Sequence, residues 1–152
     1  AVEQGHEGAQ LPLGAMYRHG QGVKQDLPKA FELFTKAAYQ GYPKAQFTLG
    51  MMYRLGQGTK TDHAEAQKWF RRAASVGHAE AQNSLGVMFE TGRGIKANYV
   101  MALMWYHVAG TSGSSRGLHN QNRLAHKLKA EEVAQAKTLA LACMRSRYKR
   151  CS

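Results

Sequence analysis

The chain has 152 residues, of which 43% are hydrophobic and 20% charged, a balance typical of a globular domain with a substantial core. This balance excludes a disordered chain. No apolar run approaches the roughly 20 residues that span a bilayer. Residues 1–5 have neither a basic start nor an apolar stretch, so any export signal is expected to have been removed or never to have existed.

The formal net charge is +11, and it is unevenly distributed. Residues 1–115 hold 12 Lys/Arg against 8 Asp/Glu, whereas residues 116–152 hold 9 against 2, so the last quarter of the chain carries +7. Such a field attracts nucleic acid, anionic lipid or an acidic protein, and it also serves solubility alone. From the charge by itself we favour a solvated face.

An internal repeat with a period of 36 residues organises the chain. The string LGAMYRHGQG at 13–22 returns as LGMMYRLGQG at 49–58 and as LGVMFETGRG at 85–94. Small residues keep the same period: Ala9, Ala45 and Ala81; Ala30, Ala66 and Ala102; Ala37, Ala73 and Ala109; Gly5, Gly41, Gly77 and Gly113. We therefore predict one repeat domain over residues 1–152. Its repeats lie at about 5–40, 41–76 and 77–112, followed by an atypical segment at 113–152.

Each repeat predicts two helices, because small and large apolar residues recur at helical rather than alternating spacing. Helix A is expected at about 42–55 and helix B at about 63–76, with equivalents 36 residues to either side. Gly56 and Gly58 fit a turn with positive φ, Asp62 fits an N-cap, and Gly77 fits a left-handed C-cap.

One such helix pair cannot bury its own apolar face, whereas three or more stacked pairs can. Small residues at fixed positions let neighbouring helices approach closely, and aromatic residues fill the space between units. The small positions are Gly50, Ala66 and Ala73, and the aromatic ones are Tyr53, Trp69 and Phe70. The expected fold is an all-α, right-handed αα-superhelical solenoid with a concave and a convex face.

The strings AQFTLGMMY at 45–53 and KWFRRAASVG at 68–77, joined by Gly-Gln-Gly at 56–58, resemble Sel1-like repeats, a subfamily of the tetratricopeptide-type αα repeats. The resemblance covers about residues 1–112 as three repeats. It implies an adaptor or scaffold of the kind found in signalling, secretion and quality control. It implies no single chemistry, so we expect no enzyme activity and no cofactor.

The first repeat departs from this pattern in two ways. Pro12 stands where Thr48 and Ser84 occur in the other copies, and it is expected to kink or shorten the first helix because it removes a backbone donor. The chain also enters at a helix A, so a preceding helix is expected to have been trimmed away.

The segment after Gly113 lacks the repeat motif and is predicted to be a capping helix pair. Its helix A is expected at about 115–127, and its helix B is expected to run from Ala130 to about Arg145. The apolar face of the second helix would hold Val133, Ala136, Leu139, Ala140 and Cys143.

Cys143 and Cys151 are the two cysteines of the chain. On a continuous helix they would lie about 12 Å apart, beyond the roughly 7 Å limit for a disulfide, so a bond requires the chain to fold back near Arg147 and Tyr148. The closing string at 143–151 resembles the Cys-paired C-termini of exported Sel1-like proteins. That resemblance favours a disulfide and a periplasmic or secreted protein. The alternative is one buried thiol and one disordered thiol, which leaves a cytoplasmic location open.

Two catalytic motifs match only in part. The Gly-x-Gly triplets of the repeats follow no predicted strand, so we interpret them as turns and not as a phosphate cradle. The string Ser-Arg-Tyr-Lys at 146–149 matches the Ser-x-x-Lys of penicillin-recognising enzymes. The rest of that signature is absent, so we assign no catalytic residue.

A metal site is also not expected. His119 and His126 lie two turns apart on one helical face, but no carboxylate or cysteine joins them at ligand spacing. Trp69 and Trp105 recur at one repeat position, so we interpret them as core residues and not as groups that stack on a ligand.

The helix A side opposite the core would line the concave groove, as in tetratricopeptide repeats. The positions on this side are Leu11, Ala15, Arg18, His19, Lys44, Phe47, Met51, Arg54, Leu55, Glu80, Asn83, Val87, Glu90, Thr91, Arg116, His119, Arg123, His126 and Lys127. We hypothesise that this groove binds an extended or helical protein segment. Phe47 and Met51 would form an apolar anchor, and Arg54, Arg116 and Arg123 would pair with acidic groups. The alternative is a face that is merely solvated.

Two rival functions remain from the sequence. Some exported, cysteine-rich Sel1-like proteins are linked to β-lactam or cell-wall binding and hydrolysis, but this chain offers no nucleophile with a base. Nucleic-acid binding through the basic last quarter is disfavoured, because Tyr148 is the single aromatic residue among those charges.

Overall fold

The computed structural model describes residues 2–152, with side chains from Gln10 onward. The described residues form eight α-helices and no β-strand. The helices are α1 (Val2–His19), α2 (Leu27–Tyr39), α3 (Pro43–Leu55), α4 (His63–Ala74), α5 (Ala79–Thr91), α6 (Tyr99–Thr111), α7 (Ser115–Ala125) and α8 (Ala130–Arg145). The predicted all-α repeat fold is thereby confirmed. The chain divides within α4 into two compact units, Ala1–Trp69 and Phe70–Ser152; the single repeat domain over 1–152 stays a prediction.

The helix ends follow the local signals that recur every 36 residues. Asp26, Asp62 and Asn98 each accept a hydrogen bond from the backbone N–H three residues later, which satisfies a free donor at the start of α2, α4 and α6. Gly56 and Gly92 end α3 and α5 in the left-handed conformation, with φ of 70° and 71°. The predicted helices at 42–55 and 63–76 are confirmed to within two residues.

In the first unit, α1 packs on α2 and α2 packs on α3. The core of this unit consists of Ala30, Phe34, Ala37, Ala38, Ala45, Leu49, Met52 and Trp69. Each large side chain here contributes about 1.5–3 kcal/mol through burial. Tyr39 meets Trp69 edge to face at 5.0 Å between ring centroids.

Pro12 does not shorten α1, which continues to His19. The expectation of a shortened helix is therefore wrong, and the alternative expectation of a kink stays a prediction. Two and three residues beyond the proline, Gly14 and Ala15 face the core, and a Cβ at Gly14 would lie 3.0 Å from the Phe34 ring. This close packing of α1 on α2 offsets the backbone hydrogen bond that a proline removes.

In the second unit, α6 is central and packs against α5, α7 and α8. Glycines permit two close approaches: a Cβ at Gly86 would lie 2.5 Å from the Tyr106 ring, and one at Gly117 would lie 2.7 Å from Ala109 Cβ. The predicted capping pair is confirmed, with α8 running from Ala130 to Arg145 as expected. Trp105 is buried in this core, as predicted for both tryptophans.

A disulfide joins Cys143 to Cys151, with a Cα separation of 4.4 Å. The chain folds back at Arg147 and Tyr148, which adopt positive φ values of 55° and 68°. Both the pairing and the position of the reversal are confirmed. Ser146 stabilises this turn, because its hydroxyl donates to Cys143 O and accepts from the backbone N–H of Lys149 and Arg150.

Candidate functional site

The first unit holds a cleft of about 330 Å³. The residues that line it are Leu11, Pro12, Ala15, Arg18, His19, Phe34, Lys44 and Thr48. Five of these residues are positions that the helical wheel assigned to the groove: Leu11, Ala15, Arg18, His19 and Lys44. The structure thus brings the predicted surfaces of α1 and α3 together in one concavity.

The cleft combines an apolar wall with fixed positive charge. Arg18 donates from Nε to Gln57 Oε1 at 2.9 Å, which orients its guanidinium, and partial burial lowers its pKa. Lys44 is exposed at the cleft. No carboxylate lines the cleft or pairs with Arg18 or Lys44 among the described residues. The arrangement favours an acidic group beside an apolar side chain.

Three other predicted residues of α3 lie outside this cleft. Phe47, Met51 and Arg54 are half-buried, and none of them lines it. Arg54 donates from Nη2 to Met51 Sδ at 3.5 Å, and its buried Nε has no hydrogen-bond partner in the described part of the chain. The proposed apolar anchor and the basic cleft are therefore separate features of the first unit.

In the second unit the predicted groove residues are linked to one another. Arg123 on α7 donates from Nη1 and Nη2 to the Glu90 carboxylate on α5, at 2.8 and 2.6 Å. The Tyr106 hydroxyl donates to the same carboxylate at 2.6 Å. The hydrogen bond from Arg123 lowers the pKa of Glu90, and burial together with Glu90 raises the pKa of Tyr106. Arg123 therefore has an acidic partner within the chain.

The remaining predicted residues of the second unit differ in exposure. Asn83 is buried, and its side-chain oxygen accepts from Asn120 Nδ2 at 3.0 Å, so it packs α5 against α7. Val87 is half-buried. Arg116, His119 and Lys127 are exposed, and no hydrogen bond or ion pair within the described chain engages their side chains. These three form the accessible part of the predicted surface.

Sequence reasoning missed three residues that line the cleft of the first unit. Phe34 and Thr48 are buried, and Pro12 had been considered for its effect on the helix alone. Thr48 could have been found, because it lies four residues after Lys44 and so shares its helical face. Phe34 lies on α2, so a helical wheel for α1 or α3 does not include it.

Neither a metal cluster nor a membrane span is found in the described part of the chain. Groups of three or more His, Cys, Asp or Glu side chains placed to hold a metal ion do not occur there. Among the described helices, none has the length and apolar character needed to cross a bilayer.

Comparison with known proteins points to one repeat family. The family described as Sel1 repeat matches residues 8–42, 43–78 and 79–114. No curated protein matches the chain.

Solved structures give the same fold. A protective antigen of uropathogenic Escherichia coli, described as displaying an SLR fold, is 35% identical, with a TM-score of 0.86 over 98% of this chain and 33% of that one. A Sel1 repeat protein from Oxalobacter formigenes is 38% identical, with a TM-score of 0.71 over 76% and 46%. Helicobacter pylori cysteine rich protein B is 19% identical, with a TM-score of 0.61 over 78% and 96%, which supports the fold alone. The chain spans one third of the E. coli protein and under half of the Oxalobacter protein.

Proposed function

The chain belongs to the Sel1 repeat family, and on that basis we propose that it is a protein-interaction scaffold whose first-unit cleft binds an acidic segment of a partner protein. Sel1-like repeat proteins generally act as such scaffolds. The observation that carries the proposal is the cleft of about 330 Å³, which Arg18 and Lys44 line and which no carboxylate of the described residues lines.

The shape and chemistry of the cleft support a peptide rather than a small metabolite. Leu11, Ala15 and Phe34 provide apolar surface, and the two cations stand beside it on α1 and α3. A partner helix or strand with an acidic side chain next to an aliphatic one would pair with the cations and cover the apolar surface at the same time. The cations also accelerate encounter with an acidic partner.

Other predicted positions extend the proposal. Phe47, Met51 and Arg54 are proposed to give a further contact on α3. In the second unit, Arg116, His119 and Lys127 are proposed to contact acidic groups. The roles proposed for Glu90 and Arg123 are to hold α7 against α5, because they pair with each other. Asn83 bonds Asn120 of α7, and Val87 is proposed as a further apolar contact for the partner.

A scaffold is also favoured over a hydrolase by the state of Ser146. Its hydroxyl makes three hydrogen bonds within the terminal turn, to Cys143 O and from two backbone N–H groups. A serine used as a nucleophile needs its hydroxyl paired with a base instead. We therefore propose no catalytic role for the Ser-x-x-Lys string, and absence of nitrocefin turnover would agree with this.

The disulfide supports a location in an oxidising compartment. Disulfides persist in secreted and periplasmic proteins and are rare in the cytosol. We propose that the chain works outside the cytoplasm, in the periplasm or after secretion.

Site-specific photo-crosslinking tests the cleft. A benzophenone amino acid would replace His19, which lines the cleft, and Tyr39, an exposed residue of the same unit that does not. After irradiation in an extract of the source cells, we expect an acidic protein to be crosslinked from position 19 and not from position 39. Equal crosslinking from both positions would contradict the proposal.

Charge reversal then tests the electrostatic part with the purified partner. Lys44→Glu should weaken binding by about tenfold or more, which corresponds to about 1.4 kcal/mol. Lys60→Glu is the matched control, because Lys60 is exposed in the same unit and does not line the cleft. Equal weakening by both variants would mean that net charge, and not the cleft, attracts the partner.

A further inference from the structure

A second concavity, of about 170 Å³, lies within the second unit. Arg71 near the end of α4, Trp105 on α6, and Tyr148 and Lys149 of the disulfide-closed turn line it. None of these residues belongs to the predicted groove. We refer to it as the Trp105 cleft.

The indole of Trp105 lacks a hydrogen-bond partner. Its side chain is 3% exposed, and its buried Nε1 makes no hydrogen bond within the described residues. A buried donor left unpaired destabilises the folded state. The indole N–H can donate but not accept, so the group that would satisfy it is an acceptor.

Two cations line the same cleft. The Arg71 guanidinium is half-buried and lies 5.9 Å from the centre of the Phe89 ring, which holds it in place. Lys149 is exposed, and neither cation forms an ion pair with a carboxylate of the described chain. Among the described residues no Asp or Glu side chain lines the cleft, and Ser75, Cys151 and Ser152 complete its lining. The second unit as a whole contains 13 Lys/Arg against 4 Asp/Glu. The missing acceptor is thus expected to carry negative charge.

We propose that the Trp105 cleft is a binding site for a small oxyanion, a carboxylate or a phosphate group, that accepts from the Trp105 indole and pairs with Arg71 and Lys149. The proposal goes beyond the scaffold function and does not depend on it. A cavity of about 150 Å³ admits one benzene molecule, so a cleft of about 170 Å³ takes a single headgroup. A free anion and an anionic group on a larger molecule share this chemistry.

The disulfide gives the site a dependence on redox state. Tyr148, Lys149 and Cys151 form one wall of the cleft, and the bond from Cys151 to Cys143 closes the loop that carries them. The Tyr148 backbone N–H donates to Cys143 O at 2.8 Å, which ties the same wall to α8. Reduction frees the end of this loop, so we expect it to weaken anion binding.

The test uses the indole N–H signals of the full chain in nitrogen-15 NMR spectra. The chain has two tryptophans, and Trp69→Phe assigns their two signals. Inorganic phosphate and acetate are titrated separately at constant ionic strength. We expect a saturable downfield shift of the Trp105 signal with at least one of them at millimolar concentration, because a new hydrogen bond to an anion deshields the proton. The probe that saturates identifies the source, phosphate or carboxylate.

Variants test whether the named residues bind the anion. Arg71→Gln should weaken binding by about tenfold or more, and Lys149→Gln should weaken it in the same direction. Arg93→Gln, which removes an exposed charge outside the cleft, should leave it unchanged. Circular dichroism checks that each variant is folded. If Arg71→Gln unfolds, the test uses Lys149→Gln alone, because Lys149 is exposed. No saturable shift with either probe, equal loss in the Arg93 variant, or undiminished binding by the reduced chain would overturn the proposal.

Discussion

Glu90 and Arg123 form a doubly hydrogen-bonded ion pair that joins α5 to α7, although both were expected to face a partner. The two distances are 2.8 and 2.6 Å, and both side chains are partly buried. Bidentate pairs of this kind are stronger and more directional than single ion pairs. The capping pair is therefore attached to the last repeat by a polar contact as well as by apolar packing.

We predict that Glu90→Gln lowers the free energy of unfolding by about 1.5–3 kcal/mol, the range for hydrogen bonds to charged groups. The folded-state pKa of Glu90 is lowered, chiefly by the hydrogen bond from Arg123. Its contribution is thus present above the unfolded pKa of about 4.3 and is lost as pH falls through the lower folded value. Denaturant unfolding across acidic pH should show wild type and variant converging. Glu131→Gln is the control, because Glu131 is an exposed carboxylate on α8. If the difference in free energy of unfolding between wild type and Glu90→Gln stays constant with pH, the stabilising role assigned to ionised Glu90 is contradicted.

Gly86 and Gly110 provide a matched test of close helix packing. A Cβ at Gly86 would lie 2.5 Å from two carbons of the Tyr106 ring, whereas one at Gly110 would meet its nearest atoms at 3.4–3.5 Å. Gly86→Ala should therefore destabilise by about 1–3 kcal/mol through overpacking. Gly110→Ala should be neutral or stabilise by up to about 1 kcal/mol through helix propensity. Thermal unfolding measures both, and destabilisation of equal size at the two positions would refute the steric explanation.

The helix boundaries were predictable because their signals are local. Asp62 and Gly56 each act through their own backbone and that of nearby residues, so a single sequence shows them. The fold-back at Arg147 and Tyr148 was predictable for a different reason: a disulfide between cysteines eight positions apart requires a reversal, and the resemblance to exported Sel1-like proteins favoured that disulfide.

The candidate sites were less predictable, because a helical wheel shows which residues share a face and not what covers that face. Asn83 and Glu90 lie on the predicted side of α5, yet α7 approaches closely enough to bury the first and bind the second. In the same unit α7 also packs closely on α6 at Gly117, where a Cβ would lie 2.7 Å from Ala109. That contact joins residues of different helices, so spacing within one helix does not reveal it.

The repeated Ala-Gln pair has a role that the sequence analysis also missed. Gln46 donates to Ala38 O at 3.3 Å, and Gln82 donates to Ala74 O at 3.1 Å, so each amide bonds a carbonyl at the end of the preceding helix. Recurrence of a polar residue at a buried position every 36 residues was the available signal. From the sequence, a role was assigned to the alanine of each pair and none to the glutamine.

Loss of the disulfide should destabilise the chain by about 2–3 kcal/mol, since closing a loop of this length removes about that much free energy from the unfolded state. The measurement compares unfolding of the oxidised chain with and without a phosphine reductant. A variant carrying Cys143→Ala and Cys151→Ala should match the reduced wild type and should not respond to the reductant. If the reductant leaves the unfolding midpoint of wild type unchanged, the bond does not contribute as proposed.

His78 should make the second unit sensitive to mild acid. Its Nδ1 accepts from the Ala81 backbone N–H at 3.1 Å, so the neutral ring caps α5, and burial lowers the pKa of His78. A base with a lowered folded pKa binds fewer protons when folded. Its contribution is therefore complete above the unfolded pKa of about 6.5 and falls as pH drops toward the lower folded value.

His78→Asn tests this, because asparagine keeps an acceptor at the N-cap and does not titrate in this range. We expect the variant to lose less stability than wild type between neutral pH and about pH 5 in denaturant titrations. Some slope should remain, since burial also lowers the pKa of His107. His119→Asn, at an exposed position of α7, should retain the full wild-type slope. Parallel profiles for wild type and His78→Asn would show that protonation of His78 does not disturb the cap.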